Sequence, residues 1–478
     1  MEKRDYDAIV VGAGPNGLAA AITLQNAGLE VLLIEGKETT GGGLRCGGLT
    51  LPGFVHDICS AVHPLAVESA FFKKFPLAEH GVEFIQPPIA AAHPLDDGRA
   101  AVLDTSVERT ALSLGADGET YLQLMRSLLK IWPGIATDLL GPLRIPGHPV
   151  DMMRFGILGI PSVKKLISRF HTPEARGLVA GMGAHAMQPL SNLTTSAFAL
   201  ILSVLGHKNG WPLPKGGSGQ IARAMTSRFI SMGGKVETGL FVHSLKQLPS
   251  SRALLLDVTP RQLLKIAGYR PSEIYRWQLR RYRYGMGVFK VDWALDEAVP
   301  FTAAACRQAG TVHLGNTFEE IENSERMTWQ GKIPPHPFVL LAQPSLFDDS
   351  RAPAGKHTAW AYCHTPPGSS PNMTELIEKQ VERFAPGFRD RILARHSISP
   401  RELEAYNPND VGGDINGGVQ DIRQLFTRPA LRFSPYRTSQ KGIYLCSAST
   451  PPGGGVHGLC GYYAAQRALR DIFNRETG

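Results

Sequence analysis

Hydrophobic positions at the start of the chain follow two different periods. A continuous apolar run at residues 8–11 is typical of a strand that is buried on both faces. Leu18 and Ile22 then fall at helical spacing, and this segment ends at Gly28. Glu30 then opens a second run, at residues 30–34, in which the following four residues are apolar. The pattern predicts a strand, a helix and a second strand, in that order.

Three glycines lie between the first strand and the helix at G-x-G-x-x-G spacing: Gly12, Gly14 and Gly17. The first permits a tight turn, the second lets a pyrophosphate approach the backbone, and the third lets the helix pack closely on the strand. Glu35 ends the second strand, where a carboxylate accepts ribose hydroxyls. The stretch predicts dinucleotide binding; the alternative is a glycine-rich turn in an ordinary βαβ unit.

A second glycine cluster, with Gly42 at its centre, follows Glu35 closely. Such a segment passes near a cofactor's phosphates, and Arg45 is placed to neutralise one of them. The alternative is a flexible loop that carries a surface arginine.

The middle of the chain changes character twice. Residues 66–210 alternate short helical patterns with proline-rich turns, and residues 235–257 indicate a return to the parallel sheet. Beyond residue 287, β-branched and aromatic runs predict strands at 288–293, 311–314, 338–343 and 358–363. These runs favour a mostly antiparallel sheet, distinct from the cofactor domain.

The last strand, at residues 442–446, leads into a third glycine cluster at residues 453–455 and a closing helix at 462–473. This is a second strand–glycine loop–helix unit. A nicotinamide enzyme needs only the first unit, whereas a buried flavin must also be held at its ring end. The two units together favour a flavin.

Composition narrows the function classes. Hydrophobic residues make up 43% of the chain and charged residues 19%, which are values of a globular protein. The net charge of +8 favours anionic partners, although no basic tail or zinc pattern points to nucleic acid. None of the six cysteines forms C-x-x-C, and no histidine and carboxylate set matches a metal site. We expect reduced thiols and, since the first strand begins near residue 6, a cytoplasmic location.

Two segments bear on membrane contact. Residues 154–170 combine apolar positions with lysine and arginine, which suits either a bilayer surface or a helical cap packed on the protein. Residues 276–284 mix cations and aromatics, which suits headgroup binding or a helix face with buried rings. The longest apolar run, at residues 197–205, is too short for a membrane span.

Six blocks, in order along nearly the whole chain, resemble the phytoene desaturase-like FAD-dependent oxidoreductases, in the branch of pyridine nucleotide-disulfide oxidoreductase domain-containing protein 2. They are V-G-A-G-P-N-G at 11–17, L-P-G-F-V-H-D at 51–57, G-W-P-L-P-K-G-G at 210–217, Y-G-M-G-V-F-K-V-D-W-A-L at 284–295, N-P-N-D-V-G-G-D-I at 407–415 and L-C-S-A-S-T-P-P-G-G-G-V-H-G at 445–458.

The resemblance implies an α/β fold with a Rossmann-like FAD-binding domain of the amine-oxidase and p-hydroxybenzoate-hydroxylase type. This domain would be interleaved with an α+β substrate domain. The FAD-binding domain would comprise residues 1–75, 210–265 and 405–478, and the substrate domain residues 76–209 and 266–404.

The same resemblance implies a set of FAD contacts. Gly12, Gly14 and Gly17 would meet the pyrophosphate, and Glu35 the adenosine ribose. Val242 would meet the adenine through its backbone, and Gly454, Gly455 and Val456 would lie beside the isoalloxazine.

Hydride transfer to flavin also requires a group that handles a proton. His457, just beyond the last glycine cluster, is one candidate, and Asp414 is the other. The alternatives are that His457 orders its loop or bonds the flavin, and that Asp414 shapes its turn. His185 reads as a satisfied interior histidine.

The expected activity is hydride transfer between flavin and an apolar substrate, with desaturation of a polyene, prenyl or lipid-like chain as the main form and peripheral membrane contact to supply it. Amine oxidation and redox-neutral isomerisation are alternative activities. A flavoprotein that mainly binds a partner is the alternative from another class. The motifs leave the electron acceptor and the oligomeric state open.

Overall fold

The parallel and antiparallel sheets predicted from the sequence are both present, so the α/β fold class is confirmed. The computed structural model describes residues 5–475. The first and last segments of the predicted FAD-binding domain extend to residues 1–4 and 476–478, which lie outside the described residues.

Within residues 5–475 the strands are β1 (Tyr6–Val11), β2 (Val31–Ile34), β3 (Cys46–Gly47), β4 (His56–Asp57), β5 (Phe84–Ile85), β6 (Ile89–Pro94), β7 (Ala100–Leu103), β8 (Leu213–Pro214), β9 (Lys235–Glu237), β10 (Ser251–Leu256), β11 (Gly287–Leu295), β12 (Ala309–Leu314), β13 (Val339–Ala342), β14 (His357–Thr365), β15 (Ile392–Ile398) and β16 (Ile443–Leu445).

The helices are α1 (Pro15–Asn26), α2 (Pro64–Glu68), α3 (Ala70–Lys74), α4 (Val107–Leu112), α5 (Gly118–Leu139), α6 (Pro149–Gly159), α7 (Val163–Leu166), α8 (Pro173–Ala184), α9 (Thr195–Asn209), α10 (Gly219–Ser231), α11 (Pro260–Leu263), α12 (Glu273–Arg280), α13 (Phe318–Trp329), α14 (Thr374–Phe384), α15 (Pro400–Tyr406), α16 (Ile422–Leu425) and α17 (Leu459–Ile472).

A five-stranded parallel sheet, in the order β16-β10-β1-β2-β9, forms the base of the site. β1 lies at its centre and pairs with β10 and β2. Ala8 and Val10 pack in the core that includes α1 and α17, whereas Ile9 and Val11 pack in the core on the opposite face. Because both faces are covered, the strand needs an uninterrupted apolar run.

The first and last helices of this sheet pack directly on each other. A Cβ on Gly17 would lie 1.8 Å from the carbonyl oxygen of Gly12, so α1 rests closely on the turn before it. A Cβ on Gly461 would lie 1.7 Å from the carbonyl oxygen of Asn16, so α17 touches the start of α1. This contact brings the end of the chain beside the first glycine turn.

A seven-stranded sheet, in the order β15-β11-β14-β13-β12-β6-β7, forms the second layer. Its pairs are antiparallel except for β12 with β6. Four predicted strands correspond to β11–β14. β6, β7 and β15 were not predicted, because β6 and β7 are rich in alanine and β15 carries charged side chains, both of which lower the strand signal.

The strands of the two sheets fall in different parts of the chain. Those of the parallel sheet lie within the segments predicted to bind FAD, and those of the second sheet within the segments predicted to form the substrate domain. The expected return to the parallel sheet is limited to β9 and β10, since residues 241–245 form no strand.

Two membrane-related expectations have structural outcomes. Among the described residues, no helix combines the length and the apolarity that a membrane crossing requires. α12 buries Tyr275 and Leu279 while Trp277 stays exposed, so only part of its aromatic face packs inward.

The six cysteines are free, and four of them are buried.

We expect Gly461→Ala to destabilise the protein, because the added methyl group would overlap the carbonyl oxygen of Asn16. Overpacking against backbone costs about 3 kcal/mol of unfolding free energy, which urea unfolding followed by circular dichroism measures. Gly147→Ala is the control, since nothing lies within 4 Å of a Cβ there. Equal stability of the two variants would contradict the close contact of α1 and α17.

Candidate functional site

The two glycine turns that are far apart in the chain line the same cavity, which has a volume of about 750 Å³. Gly12 and Gly14 contribute from the turn between β1 and α1, and Gly454 and Gly455 from the loop between β16 and α17. The cavity lies at the carboxyl ends of the parallel strands, which is the usual ligand site in open α/β sheets.

Two glycine segments touch at the first turn. A Cβ on Gly42 would lie 2.9 Å from the Cα of Gly14, and a Cβ on Gly14 would lie 3.0 Å from Oδ2 of Asp257. Gly12 has a φ of +97°, which favours glycine. Side chains at these positions would fill the space where the backbone approaches a ligand.

Glu35 is fixed above this turn. Its Oε2 accepts the N–H of Ala13 at 2.8 Å, and its Oε1 accepts the N–H of Lys37 at 3.0 Å. A carboxylate has about four acceptor positions. These two N–H groups and the guanidinium of Arg45 take three of them, so one remains for a hydroxyl donor. Glu35 lines the cavity, as the ribose prediction requires.

Arg45 also lines the cavity, but its guanidinium is already engaged. It lies 3.1 Å from Oε1 of Glu35 and donates to the carbonyl of Thr39. The guanidinium carbon lies 6.0 Å from the ring centroid of Tyr406. These contacts hold the guanidinium of Arg45 against Glu35. Contact between Arg45 and a phosphate remains a prediction.

Asp257, which follows β10, is a site residue that the sequence analysis did not single out. Its Oδ2 accepts the N–H of Gly17 at 2.9 Å, and burial together with the nearby Glu35 raises its pKa to about 7. The sequence signal that could have identified Asp257 is its position at the carboxyl end of a predicted parallel strand.

Two features of the first glycine turn fit a bound dinucleotide. The glycine cradle leaves the backbone of α1 open to the cavity, and Oδ1 of Asn16 is buried there without a hydrogen-bond partner in the described part of the chain. Buried polar atoms are normally paired, so this amide is available to a ligand group. Val242, predicted to meet the adenine, also lines the cavity.

The last glycine loop brings Val456 to the cavity but turns His457 away from its lining. The His457 ring is buried, with Nε2 3.1 Å from the carbonyl oxygen of Gly453, while Nδ1 accepts the N–H of Leu459 at 3.0 Å. Burial lowers the pKa of His457 to about 4. The geometry favours the alternative role for His457, which is to order the loop, over its predicted catalytic role.

Asp414 is likewise used within its own turn. Its Oδ2 accepts the N–H of Gly285 at 2.7 Å, and its Oδ1 accepts the N–H of Asn416 at 2.8 Å. It does not line the cavity, whereas Asp410 does. This placement favours the turn-shaping role for Asp414 over its predicted catalytic role. Burial and the nearby Asp414 raise the pKa of Asp410 to about 8.

Lys290 on β11 is a cavity residue that the sequence analysis missed. It is 3% exposed, and its Nζ donates to the carbonyl of Asp57 at 3.0 Å and to Oδ1 of Asp292 at 2.5 Å. Asp57 in turn pairs with buried Arg351 at 2.6 Å. The available signal was a lysine and an aspartate two residues apart in an apolar strand, hence on one face.

The part of the cavity that faces the second sheet is largely apolar. Its lining there includes Met187, Phe198, Leu202, Trp211, Val288, Leu340, Leu341, Trp360 and Tyr362. The rings of Trp360 and Tyr362 are stacked, with centroids 5.9 Å apart and an angle of 10° between planes. His185 lines this region, and its Nε2 lies 3.1 Å from Nε2 of His313.

The carboxylates that line the cavity lie at the end near the first glycine turn. Among the described lining residues they are Glu35, Asp257 and Asp410. The segment of Asp410 lies against the first turn, since the amide nitrogen of Asn409 donates to the carbonyl of Asp257 at 3.2 Å. In the described part of the chain, no group of three or more histidine, cysteine or acidic side chains is arranged for a metal ion.

Comparisons with known proteins agree with this geometry. Residues 10–74 match the NAD(P)-binding Rossmann-like domain family. Pyridine nucleotide-disulfide oxidoreductase domain-containing protein 2 of Mus musculus is 24% identical, over 99% of this chain and 94% of that protein. Phytoene desaturase (lycopene-forming) of Pseudescherichia vulneris is also 24% identical, over 96% of this chain and 98% of that protein.

Among solved structures, cyclohexylamine oxidase from Brevibacterium oxydans IH-35A superposes with a TM-score of 0.61 at 14% identity, covering 98% of this chain and 100% of the oxidase. This likeness shows the fold. The resemblance found in the sequence is confirmed: the chain has a Rossmann-like dinucleotide-binding domain within an amine-oxidase-type fold, and its homologues include pyridine nucleotide-disulfide oxidoreductase domain-containing protein 2 and the phytoene desaturases.

Proposed function

We propose that the protein is an FAD-dependent oxidoreductase that takes hydride from a neutral, apolar, lipid-like substrate, with desaturation of a polyene or prenyl chain as its main reaction. The observation that carries this proposal is the shared cavity. One end has the glycine cradle and Glu35 of a dinucleotide site, and the other end is an apolar chamber on the second sheet.

Two contact regions support FAD as the dinucleotide. Gly14, Gly42 and Glu35 would hold the pyrophosphate and the ribose, while Gly454 and Gly455 supply open backbone at the opposite turn. A cofactor that spans both turns must carry a second ring system beyond its pyrophosphate. Bound FAD supplies a two-electron acceptor for hydride from a substrate carbon.

Desaturation also releases a proton from the neighbouring carbon, and we assign its acceptor to a water molecule that Lys290 positions. An ammonium group has three N–H donors, and Lys290 commits two of them to Asp57 and Asp292. The third is free to donate to the oxygen of that water beside the aromatic pair, and the water takes up the proton from the substrate carbon. The two anchoring bonds fix where the water is held.

The charge distribution of the cavity favours a neutral substrate over an amine. The ammonium of Lys290 lies 5.3 Å from the ring centroid of Trp360, and the described carboxylates of the lining are at the cofactor end. A cationic substrate would therefore lie beside the Lys290 ammonium, whose carboxylate partner Asp292 is already engaged, and this raises the binding free energy of the substrate.

Amine oxidation is the second candidate, and one observation favours it. The stacked Trp360 and Tyr362 present a flat aromatic wall, which binds an amine in its neutral form as readily as an alkene. Anaerobic mixing separates the two functions: a lipid extract bleaches the flavin absorption if the substrate is lipid-like, and a panel of amines bleaches it if amine oxidation is the reaction.

We expect Gly14→Val to abolish flavin binding, because the side chain would fill the space between Asp257 and Gly42. Flavin released from the purified variant on denaturation measures the loss, and Gly147→Val is the control with open space around it. A yellow Gly14→Val protein with full flavin content would contradict the cradle.

Glu35→Gln should weaken FAD binding about tenfold or more, because hydrogen bonds to a charged acceptor contribute about 1.5–3 kcal/mol. Titration of the apoprotein with FAD, followed by quenching of flavin fluorescence, gives the dissociation constant. Glu30→Gln serves as the control, since Glu30 is exposed at the start of β2 and far from the turn. Unchanged affinity in Glu35→Gln would remove Glu35 from the ribose site.

Lys290→Met should lower the rate of flavin bleaching by substrate about a hundredfold or more, while the flavin content stays near one per chain. Lys290→Arg keeps the charge next to Asp292 and is the matched variant that separates charge pairing from positioning of the water. If Lys290→Met bleaches as fast as the unmodified protein, Lys290 does not position the proton acceptor.

A further inference from the structure

Helix α6 (Pro149–Gly159) exposes an apolar stripe to solvent. Its members Val150, Met153 and Ile157 are 57%, 60% and 65% exposed, and Ile160, which caps the helix, is 51% exposed. Spacing of three and four residues places them on one face. The opposite face packs inward through Phe155. The helix therefore carries apolar residues on both its buried face and its solvent face.

The stripe continues into the loops at both ends of α6. In the preceding loop Leu143 is 72% exposed and Ile145 is 90% exposed. Leu193 is 49% exposed and lies alongside, because the N–H of Thr194 donates to the carbonyl of Ile160 at 2.7 Å. We call these residues the α6 patch: Leu143, Ile145, Val150, Met153, Ile157, Ile160 and Leu193. Contiguous exposed apolar patches of this kind mark interaction surfaces.

Cations outnumber acids around the patch. Residues 138–170 contain two carboxylates, Asp138 and Asp151, and five cations: Arg144, Arg154, Lys164, Lys165 and Arg169. Arg144 and Arg154 pair with Asp138 and Asp151, yet their side chains remain 51% and 64% exposed. Exposed cations around an apolar helix face are the pattern that binds the interfacial region of an anionic bilayer.

The patch is one helix away from the substrate chamber. α6 packs on α9, and α9 lines the cavity with Phe198 and Leu202. A surface that rests on the patch would therefore lie next to the apolar end of the cavity.

We propose that the α6 patch docks the protein on a bilayer with anionic headgroups, with the patch side chains in the headgroup–acyl boundary and the apolar substrate drawn from that boundary into the cavity. Substrate supply rests on the proposed function, whereas docking does not. A second copy of the chain fits less well, because a two-fold contact would place the same cations opposite each other.

Sedimentation with vesicles tests the docking. The full chain is mixed with vesicles of phosphatidylcholine alone or of phosphatidylcholine with phosphatidylglycerol. We expect binding to the anionic vesicles, and weaker binding to the neutral ones. Met153→Glu with Ile157→Glu should weaken binding about tenfold or more. Leu112→Glu on α4 is the control, because Leu112 is a single exposed leucine at 83%.

Several outcomes would overturn the proposal. They are absence of binding to either vesicle, undiminished binding of the double variant, and loss of binding in Trp277→Glu on α12 rather than in the α6 variant. A dimer that dissociates on the α6 substitutions, without vesicle binding, would assign the patch to a second copy. Flavin content is measured in each variant: a colourless protein that still binds vesicles refutes the proposed function and leaves docking intact.

Discussion

Close backbone approach, permitted by glycine, is the constraint on which the rest of the structure depends. α1 meets its preceding turn at Gly17, the second glycine segment meets the first at Gly42, and α17 meets α1 at Gly461. At each contact a single methyl group would collide with main-chain atoms. The three contacts join the early part of the chain to its last helix, and this brings two distant turns to the same cavity.

Ion pairing determines the charges at one end of the cavity, and burial determines them at the other. Lys290, Asp292, Asp57 and Arg351 form a connected set beneath the apolar chamber, so that each buried charge has a partner of opposite sign. At the other end, Asp257 and Asp410 have no cationic partner of this kind among residues 5–475, and burial raises the pKa of each toward neutrality. The end on the second sheet is therefore apolar with paired charges, while the end at the first glycine turn holds the acids whose pKa is raised.

Local features of the site were predictable from the sequence, and features that depend on distant partners were not. The glycine turn and Glu35 lie within one βαβ unit, so their spacing alone fixes their arrangement. His457 and Asp414 lie near the right turns in sequence, but their side-chain orientations follow from Gly453, Leu459 and Gly285, which only the fold brings into place. A site role for Lys290 was not predicted, because its partner Asp57 belongs to a strand more than two hundred residues earlier.

The order of strands in the parallel sheet bears on how the protein is made. β16, at one edge of that sheet, and α17, which packs on α1, are contributed by the final part of the chain. A nascent chain that does not yet include β16 and α17 has the first glycine turn but neither the second turn nor the helix that supports it. The cavity between the two turns can therefore form only after β16 and α17 have been made, and until then the α1 surface that α17 later covers needs protection from aggregation.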